Sequence, residues 1–423
     1  MRRSERRARK RATTAVAFAV LACLLGAAGC AGGTAAADEI EIGALLPLSG
    51  KQAASGKSNL AGMRLVVKAV NDAGGIRSLG GKKLKLVTAD DASDPMKAAE
   101  QARQLIQRRE VPFILGPYST PEAQAAVPVS ERAKVGLLST QASYDEFFEG
   151  DYEYVTTVSM TSSQFGDSYA GFVRWLNSTR RAGIKKITIT YPDNDYGQTA
   201  AKSAARELRR MGVQVTGSLS FPPDTKDLTP IVQRTRNAAP DAVVSIGYLE
   251  DGLQLHRSRV TQNYTSPPLW IGGSASFTDD RLWKLLGSAA RPALSGDTYG
   301  LAQFERTVRT PGVRWLVQHF KGPGPLDQAV AAGAQAAWIL VTALERSATT
   351  DRAKLAAAVH RVTLPPDSER VSMPQFARGV AFEPTGKPKA PQALFVHWAN
   401  GGKQVVYPDE FADAKARPGG AGS

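Results

Sequence analysis

The chain has 423 residues, of which 43% are hydrophobic, and its formal net charge is +14. This length exceeds the roughly 250–300 residues at which a single hydrophobic core stops growing, so we expect two lobes. Lys and Arg are interspersed with Asp and Glu, and no long basic run stands beside aromatic residues. This pattern argues against a nucleic-acid partner.

The amino-terminal segment has the layout of a secretory signal peptide, at 1–29. A basic stretch is followed by an apolar run at 12–25, and small residues at 27–29 precede Cys30. The run is shorter than the roughly 20 residues that span a bilayer, which favours a signal over an uncleaved membrane helix. The small residues before Cys30 resemble the lipobox of bacterial lipoproteins. This resemblance implies cleavage before Cys30, a diacylglycerol on its thiol, and a protein anchored to the outer face of the cell membrane. The export route, Sec or twin-arginine, stays open.

Cysteine chemistry is confined to this segment, because Cys23 and Cys30 are the two cysteines of the chain. With Cys23 removed and Cys30 acylated, the mature protein has no thiol for a disulfide, a metal site or a nucleophile. Small-residue or polar stretches flank the expected lobes. We predict a lipid-anchored tether at 30–37 and a flexible tail at 411–423.

From residue 38 the chain alternates β-branched runs with helical patterns. Leu60 and Met63 begin an apolar stripe at helical spacing, and Asp94-Pro95 supplies an N-cap and a first-turn proline for the next helix. The strands predicted in this half are 40–46, 84–89, 111–115 and 135–139. Repeated strand–helix steps of this kind form one parallel sheet.

A second series of the same kind follows and predicts a second doubly wound lobe. Its strands are predicted at 187–191, 213–219, 242–246 and 269–271, with helices near 163–178, 197–211, 228–237 and 251–260. The alanine-rich segment 328–345 is interrupted by Gln328, Gln335 and Glu345, and its apolar run is too short to span a membrane. We predict a buried helix of the first lobe there.

Enzyme motifs are absent from the sequence. Gly272-Gly273-Ser274-Ala275-Ser276 lacks the closing glycine of a nucleophile elbow, and the four histidines are far apart, without metal-ligand spacing. Asp90 and Asp91 are adjacent at a strand end, so their side chains point to opposite faces and do not form a catalytic pair. We therefore predict no catalytic residue, no metal site and no cofactor.

Five motifs in order resemble the leucine/isoleucine/valine-binding proteins of bacterial ABC importers. They are Leu45-Leu46-Pro47-Leu48-Ser49-Gly50, Asn71-Asp72-Ala73-Gly74-Gly75-Ile76, Asp90-Asp91-Ala92-Ser93-Asp94-Pro95, Ile114-Leu115-Gly116-Pro117-Tyr118-Ser119-Thr120 and Tyr191-Pro192-Asp193-Asn194-Asp195-Tyr196-Gly197. The resemblance implies an α/β fold, the type I periplasmic binding protein, with two doubly wound parallel-sheet lobes joined by a three-strand hinge and closing on a ligand. We place lobe 1 at 38–157 and 297–380 and lobe 2 at 158–296 and 381–410.

The same resemblance assigns ligand contacts at the carboxyl ends of strands, where ligands of parallel sheets bind. Ser119 and Thr120 precede a helix whose free N–H groups could join them in holding a carboxylate or carbonyl oxygen, although Thr120 could serve purely as an N-cap. The loop Thr140-Gln141-Ala142-Ser143 matches the family's ligand-carboxylate loop, with Pro-Gly usual where Thr140-Gln141 stands. The implied contacts are the Ala142 backbone, the Ser143 hydroxyl, Tyr196 and Tyr248.

One position departs from the family pattern and leaves the ligand open. Amino-acid binders often carry an acidic residue where Ser274 stands, to pair with the ligand ammonium. Because an unpaired buried ammonium is costly, either Glu250, Asp251 or Asp195 substitutes, or the ligand has no ammonium. Ser55 also stands near where an aromatic lid is common.

We therefore predict a monomeric binding protein that captures a small ligand between two lobes and delivers it to an ABC permease. The ligand is an amino acid, a branched-chain amino acid, an amide or another small polar compound. An alternative is a ligand-sensing co-receptor that passes a signal to a separate membrane protein, and a more distant one is a secreted hydrolase.

Overall fold

The structure is a computed structural model that describes residues 39–150, 152–265, 268–273 and 275–416. Of the segment Met1–Ile40, it describes Glu39 and Ile40, which begin the first strand. The predicted signal peptide, Cys30, the tether, Ser274 and the end of the tail lie outside these residues. Within them, every helix is too short or too polar to cross a membrane.

Twelve strands and twelve α-helices make up the described part of the chain. The strands are β1 (Glu39–Leu46), β2 (Lys83–Asp90), β3 (Phe113–Leu115), β4 (Gly136–Ser139), β5 (Val155–Thr157), β6 (Lys186–Pro192), β7 (Gln214–Phe221), β8 (Ala242–Ser245), β9 (Leu269–Gly273), β10 (Thr298–Ala302), β11 (Leu394–Ala399) and β12 (Gly402–Tyr407). The helices are α1 (Ala53–Asp72), α2 (Pro95–Gln107), α3 (Thr120–Arg132), α4 (Ser162–Thr179), α5 (Asp195–Arg210), α6 (Thr229–Asn237), α7 (Leu249–Thr261), α8 (Ala275–Thr278), α9 (Leu282–Ser295), α10 (Pro311–His319), α11 (Gln328–Ser347) and α12 (Arg352–His360).

The first lobe contains a five-stranded sheet in the order β2-β1-β3-β4-β5. The pairs from β1 through β5 are parallel, as the alternating strand–helix pattern predicts. Local sequence signals also act where predicted: the Asp94 side chain accepts hydrogen bonds from the N–H groups of Met96 and Lys97 and so caps α2. The β-then-α order therefore places every loop after β3 and β4 at one edge of the sheet.

The second lobe contains a seven-stranded sheet in the order β12-β11-β10-β9-β8-β6-β7. Its central pairs are parallel, and an antiparallel hairpin, β11–β12, closes one edge through β10. Asn400 and Gly401 join the hairpin with φ values of 52° and 82°, the left-handed pair that a tight two-residue turn requires.

One predicted boundary is wrong. The segment 297–380 was assigned whole to lobe 1, but β10 (Thr298–Ala302) pairs with β9 and β11 and belongs to the second sheet. The physical reason is its position beside β9: a parallel strand there extends the ladder and buries Tyr299 and Leu301 in the second core. The predicted buried helix of lobe 1 is α11, whose residues Ala329–Leu344 are all buried.

The chain passes between the two sheets three times, through segments 158–161, 303–310 and 377–393, which we call the crossing segments. They are loops and isolated bridges, and not the three strands that the family resemblance predicts. The buried Gln303 side chain joins the second crossing segment to the first, because its Oε1 accepts from the Met160 N–H at 3.0 Å and from the Ser159 hydroxyl at 3.3 Å. Its backbone N–H donates to Gln328 Oε1 at 2.9 Å. Side-chain hydrogen bonds thus replace a strand ladder at the hinge.

The second crossing segment is also fixed to lobe 2 by an ion cluster. The Lys403 ammonium on β12 lies 3.2 Å from Glu305 Oε2 and 2.9 Å from Asp280 Oδ1. It also donates a hydrogen bond to the Thr278 carbonyl at 2.8 Å. Lys403 and Glu305 are both buried, so their pairing offsets the cost of removing the two charges from water.

Candidate functional site

The strand ends of both lobes meet around two adjoining cavities. The inner cavity, with about 390 Å³ of empty space that includes solvent at its opening, lies between the loops that follow β3 and β4 in one lobe and β6 and β8 in the other. Its lining consists of Tyr118, Ser119, Thr120, Gln141, Ser143, Phe165, Tyr196, Gly247, Tyr248 and Ala275. The outer cavity, with about 940 Å³ of empty space that includes open solvent, shares Tyr118, Ser119, Tyr248 and Ala275 with it. Both lobes contribute to each cavity.

Most of the predicted contacts come together here. Ser119, Thr120, Ser143, Tyr196 and Tyr248 all line the inner cavity. Glu250 lines the outer cavity instead, as an exposed residue near its mouth.

Two predicted contacts are not placed at the cavities. Ala142 is fully buried and lines neither cavity, and its carbonyl accepts the Thr157 hydroxyl at 2.8 Å. This hydrogen bond turns the Ala142 backbone toward β5, so its carbonyl does not face the ligand space. Ser274 lies outside the described residues, so its predicted role stays a prediction.

The hydroxyls at the start of α3 are not used as helix caps. Thr120 Oγ1 accepts the Ser143 N–H at 3.2 Å, which links the two predicted contact loops. Ser119 occupies the N-cap position, yet its side chain donates to the Glu122 carboxylate and accepts no helix N–H. The Thr120 hydroxyl proton therefore stays free to donate to a ligand, and pure capping by Thr120 does not describe this site.

Three phenols surround the inner cavity. The rings of Tyr196 and Tyr248 lie 5.4 Å apart between centroids, and Phe165 meets Tyr196 edge-on at 6.3 Å. Burial raises the pKa of Tyr118 to about 12 and the pKa values of Tyr196 and Tyr248 above the ordinary phenol range. All three hydroxyls are thus protonated at neutral pH and can act as hydrogen-bond donors.

Polar links join the lobes across the cleft. The Lys51 ammonium lies 3.2 Å from Asp224, the Arg281 guanidinium donates to the Ser55 hydroxyl at 3.1 Å, and Gln124 donates to Asp195 at 2.8 Å. In each case one residue belongs to lobe 1 and the other to lobe 2. Asp195, weighed as an ammonium partner, lines neither cavity and is bonded to Gln124.

Asp251 is the better placed of the acidic residues that were weighed. It lines the outer cavity, is 9% exposed, and accepts the Tyr248 N–H at 2.9 Å at the start of α7. Burial is the main cause that raises its pKa to about 6. The described residues contain no group of three or more His, Cys, Asp or Glu side chains that could hold a metal ion.

The similarity of this chain to known proteins agrees with the two-lobed fold described above. A family model described as periplasmic binding protein matches residues 39–403. The chain belongs to the periplasmic binding protein family. The predicted family and fold class, an α/β protein with two parallel-sheet lobes, are thereby confirmed.

Relatives of this periplasmic binding protein match it over most of its length. Leu/Ile/Val-binding protein homolog 7 of Brucella abortus (strain 2308) is 26% identical over 394 residues, which is 92% of this chain and 96% of the relative. The leucine-binding protein LivK of Thermotoga maritima has a similar fold, with a TM-score of 0.74, 19% identity, and coverage of 86% of this chain and 97% of the other.

Structural relatives bind chemically different ligands. LivJ of Streptococcus pneumoniae, solved with isoleucine, has a TM-score of 0.73 and 20% identity and covers 88% of this chain and 100% of its own. A solute-binding protein from R. palustris, solved with 4-hydroxybenzoate, has a TM-score of 0.72 and 20% identity, with coverage of 87% and 95%. The shared fold therefore does not identify the ligand of this periplasmic binding protein, which depends on the side chains of its own cleft.

Sequence reasoning missed several lining residues. Tyr118 and Phe165 line the inner cavity, and Glu122 and Arg281 line the outer one. A signal for Glu122 was present, since Ser119 and Glu122 have the spacing of a capping box. The structure uses that pair differently, as a hydroxyl–carboxylate hydrogen bond beside the cavity.

Proposed function

We propose that this chain is the extracytoplasmic solute-binding component of an ABC importer, which captures a small polar ligand between its two lobes. The observation that carries the proposal is the pair of cavities lined by strand ends of both lobes. A ligand that contacts both lobes favours their closed arrangement through its differential affinity for that state. Hydrolysis of ATP belongs to the transporter that receives the ligand.

The proposed ligand belongs to the amino acid or amide class. Four hydroxyl donors surround the inner cavity, from Thr120, Tyr118, Tyr196 and Tyr248, and they suit the carboxylate or carbonyl oxygen of such a ligand. The isoleucine bound by the LivJ relative supports this class. Delivery to a permease and a monomeric state are parts of the same proposal.

We test ligand capture by thermal denaturation of the protein from Gly32 onward. The panel contains amino acids, their amides, small carboxylates, polyamines and sugars, and a ligand raises the melting temperature by mass action. Thr120→Val removes the free hydroxyl donor, so we expect the ligand-induced shift to fall to less than about half of its original size.

The control for this variant is Thr350→Val, an exposed position away from both cavities. It should retain the full ligand-induced shift. If no compound of any class raises the melting temperature, solute binding is contradicted. A full shift in Thr120→Val would contradict the placement of the ligand in the inner cavity.

The lipid anchor is tested separately. In a bacterial host that processes lipoproteins, the full chain should partition into the detergent phase, and Cys30→Ser should move it to the aqueous phase because no thiol remains to carry the diacylglycerol. Aqueous partitioning of the unchanged chain would contradict the anchor and leave ligand capture unaffected.

A further inference from the structure

The outer cavity holds more carboxylates than cations. Its acidic lining residues are Glu122, Asp224, Glu250 and Asp251, and its basic ones are Lys51 and Arg281. Both cations already have partners, since Lys51 pairs with Asp224 and Arg281 pairs with Asp279. Within the described part of the chain, the ion pairs leave Glu122, Glu250 and Asp251 without a cation.

Glu122 is the most deeply buried of these three carboxylates. It is 3% exposed, and its hydrogen-bond donors are the Ser119 hydroxyl and its own backbone N–H, neither of which carries a charge. The charged groups that act on it are Lys51, which is already paired, and the carboxylate of Asp94. Asp91 also lies within electrostatic range. Burial is the main cause that raises the pKa of Glu122.

Asp251 faces the same cavity from the other lobe. Within the described residues, the hydrogen-bond donor to its carboxylate is the uncharged Tyr248 N–H. Asp224, Lys51 and Glu250 act electrostatically on the Asp251 carboxyl. Asp251 in turn interacts electrostatically with the phenols of Tyr196 and Tyr248. Among the described residues, Glu122 and Asp251 are therefore two carboxylates without a cationic partner that line the same cavity, one from each lobe.

The helix ends at this cavity are already supplied with negative charge. Glu122 lies in the first turn of α3 and Asp251 in the first turn of α7, positions where a bound anion would otherwise be stabilised. A second anion there would be repelled by these like charges. An anionic group in the outer cavity is accordingly disfavoured.

An unpaired neutral oxygen in the outer cavity also favours a ligand with N–H donors. Gln52 lines the outer cavity, and its side-chain oxygen is buried without a donor among the described residues. Such an oxygen is costly unless a ligand donates to it. A protonated amine offers up to three N–H donors and a positive charge, which matches both the unpaired acceptor and the two carboxylates.

We propose that the ligand carries a cationic nitrogen, and that Glu122 and Asp251, one from each lobe, hold it in the outer cavity. This inference rests on the proposed function and names the charge that its ligand must have. It also explains why an acid at the position of Ser274 is dispensable, since the charge is supplied from α3 and α7. A cation between carboxylates of two lobes binds the closed arrangement better than the open one.

Calorimetric titration with four probes tests the charge. At pH 7.5 we expect at least one of isoleucine, lysine and putrescine to bind, because each carries an ammonium. We expect no binding of 4-hydroxybenzoate. Glu122→Gln and Asp251→Asn should each weaken the bound amine by about 10–100-fold, the range for loss of a buried charged partner. Binding should also weaken several-fold at pH 5.5, because burial raises the pKa of Asp251 to about 6 and its protonation removes the charge that faces the amine.

Glu131→Gln is the matched control. Glu131 lies on the same helix, is partly desolvated, and accepts the N–H groups of Glu153 and Tyr154 away from both cavities. It should change affinity by less than about twofold. A merely structural role for Glu122 would instead lower stability while leaving probe selectivity and the pH profile unchanged, which would overturn the inference.

Two other outcomes separate the inference from the proposed function. Binding of 4-hydroxybenzoate in place of the amines would overturn the cationic ligand and leave solute capture standing. Binding of none of the four probes, or of any compound in the thermal panel, would overturn both.

Discussion

The surroundings of two adjacent aspartates shift their pKa values in opposite directions. Asp90 accepts the N–H groups of Leu48, Ser49 and Ala92 at 2.8–3.1 Å. Although burial raises its pKa, hydrogen bonds from the Ser49 hydroxyl and from these N–H groups outweigh burial and lower it. Asp91 points the other way, is fully buried, and has one oxygen without a donor among the described residues. Burial raises the pKa of Asp91 to about 7.

Asp91→Asn should stabilise the protein at pH 8 by about 1–3 kcal/mol, because it removes a buried charge and keeps the bond from Ser93. Between the unfolded pKa of 3.8 and about 7, the folded state binds more protons than the unfolded state at this group. Its contribution to stability therefore falls as pH rises through that window. The gain from the substitution should shrink toward zero near pH 4, as measured by urea unfolding at both pH values.

Asp90→Asn is the comparison for this experiment. It should destabilise the protein at pH 8, since a neutral amide accepts the three backbone hydrogen bonds less strongly than a carboxylate. If Asp91→Asn destabilised the protein equally at both pH values, the buried charge would not be the source of the effect.

At the scale of elements, the contact between α1 and α11 depends on two glycines. A Cβ on Gly62 would lie 2.0 Å from the Val330 carbonyl oxygen, and one on Gly333 would lie 2.0 Å from the Asn59 carbonyl oxygen. Backbone atoms cannot be displaced as a flexible side chain can, so these positions set how closely the two helices approach. This close approach accounts for the burial of α11 along its length.

Gly62→Ala should destabilise the first lobe by about 2–4 kcal/mol, because the methyl group forces α1 and α11 apart. Gly171→Ala on α4 is the matched control, with open space around the added Cβ. It should stabilise the protein by about 0.5–1 kcal/mol through the higher helix propensity of alanine. Thermal and urea unfolding measure both, and equal effects would contradict the helix contact as the cause.

The sequence predicted elements well where one pattern dominates. The helix predicted at 251–260 is α7 (Leu249–Thr261), and the strand predicted at 242–246 is β8 (Ala242–Ser245). Strands β10–β12 were not predicted, because their place in the second sheet depends on pairing with distant strands. The site shows the same division: residues after strand ends were found, but Glu122 was missed because sequence does not tell which side of a helical turn faces the cleft.

At the scale of the whole molecule, the crossing segments determine how the two lobes are joined. The three crossing segments lack a continuous ladder, and the Gln303 side chain supplies hydrogen bonds to the first of them. Gln375 contributes in the same way, because its side-chain amide donates to the Val158 carbonyl and its own carbonyl accepts the Gln392 N–H. The lobes are thus joined by buried polar contacts that a small rotation can rearrange.

Gln303→Ala should lower the free energy of unfolding by about 2–4 kcal/mol, since the Met160 N–H loses its buried acceptor and a cavity remains. It should also widen the range of lobe orientations seen by small-angle scattering of the unliganded protein. Gln107→Ala, at an exposed position on α2, should do neither. Unchanged scattering with lowered stability would show that Gln303 does not restrain the hinge.

The second crossing segment is anchored to different lobes on the two sides of Phe304. Gln303 is bonded to Gln328 of lobe 1, whereas Glu305 is held by Lys403 of lobe 2, so the two lobes grip the chain on either side of Phe304. Rotation about the backbone bonds beside Phe304 would preserve both the Gln303–Gln328 hydrogen bond and the Lys403–Glu305 ion pair. Phe304 is then the point of the second crossing segment about which the two lobes can turn, and a turn that opens the cleft must break cross-cleft contacts such as the Lys51–Asp224 ion pair.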